Sequence, residues 1–122
     1  MAHSSGGEQA AASPPPLPRA IPISGEVLPP VGMGTWQTFD VSPSATRRRP
    51  LEGVLRRFVE KGGRFIDSSP MYGRSEEMVG NLCATLGEAD FFLATKVWTR
   101  GRRAGIEQME RSASLLRKSP TT

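Results

Sequence analysis

Hydrophobic residues recur with helical spacing in the middle of the chain. Between residues 44 and 62 they stand 3, 4, 7 and 8 positions apart, at Leu51, Val54, Leu55, Phe58 and Val59. This spacing places them on one face of an α-helix. Pro50 suits the first turn of such a helix, and the Gly62-Gly63 pair ends it. The pattern therefore predicts a helix over residues 44–62.

Two more segments carry the same period. The first begins at Ser75, predicted as the N-cap, has two glutamates in its first turn and stops at Gly87. Its apolar positions are Met78, Val79, Leu82, Cys83 and Leu86. The second runs from Gly105 to Lys118, and its apolar positions are Ile106, Met109, Ala113 and Leu116. Both segments are predicted to be amphipathic helices.

Short apolar runs lie between and before these helices. Residues 21–34 hold two runs around Gly25-Glu26, which predicts a hairpin and then a strand from Val31 to Gly34. A second strand is predicted over residues 64–67. The continuous run "FFLATKV", which starts at Phe91, predicts a strand buried on both faces. Alternating strands and helices of this kind indicate an α/β fold built from parallel βα units.

The first 19 residues differ in composition from the rest. They lack apolar periodicity and include three consecutive prolines, so they are predicted to form a disordered tail. Residues 20–122 are predicted to form one domain. The tail lacks the basic start and apolar segment of a secretory signal, and no run approaches the about 20 apolar residues of a membrane span. We expect a cytoplasmic protein that does not bind membranes, whose single cysteine, Cys83, is packed rather than reactive.

The net charge of +4 raises the question of an anionic partner. The basic residues are mostly arginines, including the run at residues 47–49. Because these arginines are dispersed and no nucleic-acid-binding motif accompanies them, solvated helix faces explain them better. We expect no nucleic-acid partner, and a basic binding module is the weakest of the alternatives.

Three polar residues fall where predicted strands end. Asp67 ends the second strand, Tyr72 lies in the following loop and Lys96 ends the third strand. The carboxyl ends of parallel strands lie at one rim, where such folds build active sites. A tyrosine hydroxyl can protonate a developing alkoxide, a nearby ammonium stabilises the tyrosinate, and a carboxylate can hold that ammonium. Individually, the three could equally be a turn residue, a packed aromatic residue and a surface lysine.

Four segments carry the most distinctive motifs of the chain. The longest covers residues 62–80 and reads "GGRFID" followed directly by "SSPMYGRSEEMVG"; the others are "GMGTW" (32–36), "FFLATKVW" (91–98) and the weaker "GIEQMERS" (105–112). Together they resemble the N-terminal part of the aldo-keto reductases. The resemblance covers about residues 20–118. It implies a partial (β/α)8 TIM barrel with an N-terminal hairpin at its base and about three βα units. It also implies NADPH-dependent reduction of an aldehyde or ketone.

The resemblance also implies a role for each matching residue. Tyr72 would be the general acid, Lys96 would tune it, and Asp67 would hold Lys96 while itself lying near the nicotinamide ribose. The cofactor side would be lined by Thr35, Trp36, Gln37 and Asp67, and the substrate pocket by Trp36 and Trp98. No metal site is implied.

One family feature has no counterpart in this sequence. The family uses a histidine near the fourth strand to orient the carbonyl, whereas the only histidine here is His3. Because the later cofactor loops also have no match, we expect the isolated, truncated chain to be inactive. The alternative is a non-catalytic fragment that self-associates through open sheet edges or pairs with another barrel.

Overall fold

The computed structural model describes residues 13–14, 16–87 and 90–119. Most of the predicted tail lies outside these residues, so the division of the chain at residue 19 stays a prediction. The described elements are, in chain order, β1 (Arg19–Ala20), β2 (Val27–Leu28), β3 (Met33–Gly34), α1 (Ala45–Glu60), β4 (Phe65–Asp67), α2 (Ser75–Thr85), β5 (Phe92–Ala94) and α3 (Arg102–Leu116). The predicted α/β alternation is confirmed.

A parallel sheet forms the centre of the fold. Its strands lie in the order β3-β4-β5, and their last residues, Gly34, Asp67 and Ala94, are in register. The carboxyl ends of the three strands therefore form one rim. Lys96 lies two residues beyond Ala94, so its position in the chain brings it to the same rim as Asp67.

The predicted hairpin is present and lies at the opposite end of the sheet. β1 and β2 pair antiparallel, and Gly25 takes a left-handed backbone (φ 70°) in the connecting turn. Arg64, directly before β4, donates to the Val27 carbonyl and to Glu26 Oε1, each at 3.0 Å. This arginine attaches the hairpin to the amino-terminal end of the sheet, away from the rim.

The core is formed where the helices pack on the sheet. Its buried apolar side chains are Phe39, Leu51, Leu55, Ile66, Met78, Val79, Leu82, Phe91 and Leu116. Helix α2 contacts both α1 and α3. Gly80 lies where α2 and α3 meet, and a Cβ built on it would overlap the carbonyl oxygen of Leu115.

The predicted N-cap of α2 is wrong by one residue. Arg74 occupies the N-cap position, and Ser75 is the first helical residue, fully buried. Gly73 takes a left-handed backbone (φ 57°), and Asp40 Oδ1 accepts the Arg74 N–H at 2.9 Å. The Ser75 hydroxyl does not cap the helix and instead donates to the Thr35 carbonyl at 2.9 Å.

Other predicted details also differ in the structure. Helix α3 begins at Arg102 rather than at Gly105, after Gly101 with φ 87°. Three residues assigned to buried stripes, Val54, Ile106 and Met109, are exposed. The strand predicted to be buried on both faces is shorter and only half-buried over Phe92–Ala94. Its outer edge has no neighbouring strand among the described residues.

Cys83 packs against the core, as its place in the helical stripe predicts. Burial raises the pKa of its thiol to about 11, against a smaller opposing effect of the Lys118 charge. At neutral pH the thiol is therefore protonated and a poor nucleophile.

Within the described ranges, none of the helices has the length and apolar character needed to cross a bilayer.

Candidate active site

The rim brings three of the predicted site residues together. Asp67 is the last residue of β4, Lys96 follows β5, and Tyr72 lies in the loop between β4 and α2. Lys96 Nζ donates to Asp67 Oδ2 at 2.7 Å and to the Ser68 carbonyl at 2.8 Å. The same Nζ lies 5.0 Å from the centroid of the Tyr72 ring. The ammonium thus lies next to both the carboxylate and the aromatic ring.

The ion pair is open to solvent. The side chains of Lys96 and Asp67 are 37% and 38% exposed. A pair this accessible is screened by water and contributes little to the free energy of folding. Stability alone therefore does not explain its position at the rim.

The neighbours of Lys96 hold it in its charged form. Burial by itself would lower the pKa of Lys96, but the hydrogen bond and charge of Asp67, followed by those of Tyr72, outweigh this effect. Together they raise the pKa above the ordinary value of 10.5. The ammonium is accordingly a permanent cation at neutral pH.

Two aromatic side chains meet beside the ion pair. The rings of Trp36 and Tyr72 are 6.5 Å apart between centroids and tilted by 44°. Trp36 is 64% exposed, so one face of its indole is available to a bound molecule. The structure therefore combines a cation, a phenol and an apolar surface on one rim. We call this group the rim cluster; its members are Trp36, Asp67, Tyr72 and Lys96.

A buried hydroxyl network lies directly beneath this surface. Thr35 Oγ1 hydrogen-bonds to the Asp67 carbonyl at 2.9 Å and to Ser68 Oγ at 3.0 Å. The Thr35 carbonyl accepts a bond from Ser75 Oγ at 2.9 Å. Thr35 is thus fully buried below the rim, with its hydroxyl engaged by the protein.

The remaining predicted residues lie at the edge of the site. Gln37 is exposed in the turn after β3, with a left-handed backbone (φ 63°) that is uncommon for a residue other than glycine. Trp98 is 67% exposed, and its backbone is paired with the amide side chain of Gln108. Among the described residues, its ring contacts neither Trp36 nor Tyr72. The structure does not bring Trp98 into the rim cluster.

Sequence reasoning missed several residues that support the cluster. Ser68 supplies a carbonyl to Lys96, Glu76 is buried and bonded to Thr95, and Ser75 bonds to Thr35. The sequence signal that could have indicated them is the high density of polar residues at positions 67–69 and 74–77, next to buried positions of a strand and a helix. Local pattern does not reveal which of these side chains point inward.

Comparison with known proteins decides the family. The model of the "Aldo/keto reductase family" matches residues 30–119, which is most of the chain. The chain belongs to the aldo/keto reductase family. The matched range includes every residue of the rim cluster.

Curated relatives in this family are longer than the chain. It is 33% identical over 81 residues to an aldose reductase of Encephalitozoon cuniculi, covering 62% of this chain and 24% of that protein. It is 35% identical over 83 residues to an aldo-keto reductase of Mycolicibacterium smegmatis, covering 66% of this chain and 27% of that protein. The chain spans about a quarter of the length of these aldo/keto reductases.

Solved structures show the same relation. An aldo/keto reductase from Klebsiella pneumoniae in complex with NADP and acetate superimposes with a TM-score of 0.63 at 28% identity, over 77% of this chain and 33% of that one. The thermostable aldo-keto reductase Tm1743, in complex with the inhibitor epalrestat, superimposes with a TM-score of 0.70 at 25% identity, over 84% and 39%. The parallel βα units of this chain therefore align with part of the aldo/keto reductase TIM barrel, as predicted.

Proposed function

We propose that the rim cluster is the proton-donating part of a carbonyl-reduction site. The observation that carries this proposal is the position of Lys96 Nζ, 2.7 Å from Asp67 Oδ2 and 5.0 Å from the Tyr72 ring centroid. Reduction of a carbonyl to an alcohol requires a hydride at carbon and a proton at oxygen. Tyr72 is the group at this rim that can deliver the proton.

The proton transfer follows from the charges around Tyr72. The Tyr72 hydroxyl gives its proton to the carbonyl oxygen as negative charge develops there, which leaves a tyrosinate. The Lys96 ammonium stabilises that anion, and Asp67 keeps the ammonium in place. A proton from solvent then restores the phenol, since the rim is open to water.

The same rim suits a nicotinamide nucleotide. NADPH, the expected cofactor, supplies the hydride when bound. The exposed indole of Trp36 offers a flat apolar surface beside Tyr72, and the partly exposed Asp67 carboxylate can accept a hydrogen bond from a ribose hydroxyl. We assign Gln37 to the same side because it follows Trp36, whereas the fully buried Thr35 would support this side from below. Trp98 would wall the pocket for the aldehyde or ketone.

The test places this rim in a complete barrel. Residues 30–119 replace the matching segment of the Klebsiella pneumoniae enzyme, and NADPH oxidation is followed with 4-nitrobenzaldehyde. We expect this chimeric enzyme, called the exchanged barrel below, to oxidise NADPH at a rate that depends on Tyr72. The isolated chain should show no NADPH oxidation above the rate in buffer. A shorter exchange over residues 64–98 serves if the longer one does not fold. Turnover that persists without the Tyr72 hydroxyl would contradict the proposed role.

A second candidate function, self-association without catalysis, is favoured by one observation. A groove of about 490 Å³ follows the outer edge of β5 and is lined on its other side by Met109, Ala113 and Leu116 of α3. An apolar groove beside a strand edge that is unpaired within the described residues can accept a strand of another copy. Of the residues at the rim, Lys96 also lines this groove, so a strand seated there would lie next to the ion pair.

Sedimentation velocity over a wide range of concentration tests this second candidate. We expect the sedimentation coefficient of the chain to rise with concentration. Val97→Lys, which puts a charge into the groove, should shift the chain to monomer, because a charged edge resists pairing. Val54→Lys places the same charge at an equally exposed position on α1 and should leave association unchanged. A monomer at all concentrations would remove this candidate.

A further inference from the structure

A buried carboxylate lies directly behind the rim. Glu76, in the first turn of α2, is only 3% exposed, and its Oε1 accepts a hydrogen bond of 2.5 Å from Thr95 Oγ1. A carboxylate buried to this degree is costly unless it is hydrogen-bonded, so the bond fixes both partners. Thr95 immediately precedes Lys96 in the chain. Glu76 therefore holds the backbone from which the Lys96 side chain extends.

The neighbouring residue on the helix reaches the same cluster from the other side. Ser75 Oγ donates to the Thr35 carbonyl at 2.9 Å, and both residues are fully buried. Ser75 N–H also donates to the Tyr72 carbonyl at 3.0 Å. Thr35 in turn bonds through its hydroxyl to the Asp67 carbonyl and to Ser68 Oγ. Ser75 is thus linked to Tyr72 directly and to the acceptors of Lys96 through one residue.

Packing alone does not position the ammonium. The Lys96 side chain is long and 37% exposed, so its head is located by its backbone and by its two acceptors, Asp67 Oδ2 and the Ser68 carbonyl. Two adjacent residues of α2 hold the backbone and the acceptors in place. Glu76 holds the backbone next to Lys96, and Ser75 holds the strand end that carries the two acceptors. We propose that Ser75 and Glu76 are positioning residues, which set the place of the Lys96 ammonium relative to Asp67 and Tyr72.

The proposal deepens the proposed function and rests on it only in calling the cluster a reduction site. Neither residue touches the substrate or the reacting atoms. If they served stability alone, removing their bonds would change the free energy of unfolding but leave the surroundings of Lys96 as they are. A readout at Lys96 itself separates the two cases.

The experiment observes the lysine side chains by NMR. The chain contains three lysines, Lys61, Lys96 and Lys118, so 13Cε-labelled lysine gives a small set of signals that Lys96→Met assigns. The chemical shift and titration of Lys96 are compared between the unsubstituted chain and two variants. Ser75→Ala removes the bond to the Thr35 carbonyl. Thr95→Val with Glu76→Leu removes both partners of the bond between those two residues, so that no buried carboxylate is left unpaired.

We expect both folded variants to move the Lys96 signal and to lower its pKa by about half a unit or more, because the ammonium moves away from Asp67. Thr95→Ser, which keeps a hydroxyl, should retain the original values. Two matched controls should also retain them. Thr85→Val removes an exposed hydroxyl bonded within its own helix, and Ser112→Ala removes a buried hydroxyl without a partner among the described residues.

Each variant decides the role of its own residue. A folded variant in which the shift and pKa of Lys96 stay at the original values overturns the positioning role of the residue it alters. Failure of the exchanged barrel to reduce 4-nitrobenzaldehyde, with the NMR changes present, would instead overturn the proposed function and leave the positioning role intact.

Discussion

Tyr72→Phe in the exchanged barrel is expected to lower kcat for carbonyl reduction about 10²- to 10⁴-fold, the usual contribution of a positioned general acid. The substitution removes one oxygen and keeps the ring, so its packing near Trp36 is preserved. KM should change little, because the lost interaction forms as negative charge develops on the carbonyl oxygen. Steady-state kinetics with NADPH and 4-nitrobenzaldehyde give both constants.

Thr85→Val is the matched control for this prediction. Thr85 lies at the end of α2, and among the residues that the structure describes its hydroxyl bonds only to the Asn81 carbonyl of the same helix. The control should keep the kcat of the unsubstituted barrel. Equal kcat values for Tyr72→Phe and Thr85→Val would show that the phenol does not donate the proton.

Gly80→Ala is expected to destabilise the chain by at least about 3 kcal/mol, at the upper end of what overpacking costs. The added methyl group would overlap the Leu115 carbonyl oxygen and press on the Leu116 backbone. Backbone atoms of a packed helix cannot turn away as a flexible side chain can. α2 and α3 would have to separate, which would also open the contact of Leu116 with the core.

Gly53→Ala provides the opposite result with the same chemical change. A Cβ built on Gly53, in the exposed part of α1, meets nothing within 4 Å. Alanine should therefore stabilise that helix by about 0.5–1 kcal/mol, since it loses less backbone entropy than glycine. Urea unfolding of both variants measures the two effects. Stabilisation by Gly80→Ala would mean that the helices do not approach as closely as described.

The order of elements follows directly from the sequence. The stripe at Leu51 and Leu55 and the apolar run before Asp67 are strong signals, since Leu51, Leu55 and Ile66 are buried where their period places them. The same reasoning brings Asp67 and Lys96 to one rim, since parallel strands end together. The sequence therefore predicts the element order and the place of the candidate site well.

Details that depend on distant residues were not predictable. The N-cap of α2 is Arg74, and its N–H is bonded to Asp40, which is far away in the chain. The buried bond between Glu76 and Thr95 likewise joins two segments that are separate in sequence. Ile106 and Met109 have the period of a buried stripe, yet they face solvent or the groove. Periodicity reports which face is apolar but not what covers it.

The proposed site depends on the contact between the Lys96 ammonium and the Asp67 carboxylate, at 2.7 Å. This contact raises the pKa of Lys96. The contribution of the contact to the free energy of unfolding is therefore fully present below pH 10.5 and is lost as the pH rises above that value. Asp67→Asn removes the carboxylate charge while keeping the shape of the side chain. Glu52→Gln, which breaks the exposed pair with Arg56 on α1, is the matched control.

The most direct measurement is the titration of the Lys96 13Cε signal in the unsubstituted chain and in these two variants. We predict a Lys96 pKa above 10.5 in the unsubstituted chain and in Glu52→Gln, and a clear fall in Asp67→Asn. A Lys96 pKa at or below 10.5 that Asp67→Asn leaves unchanged would show that the ammonium is not held beside the carboxylate.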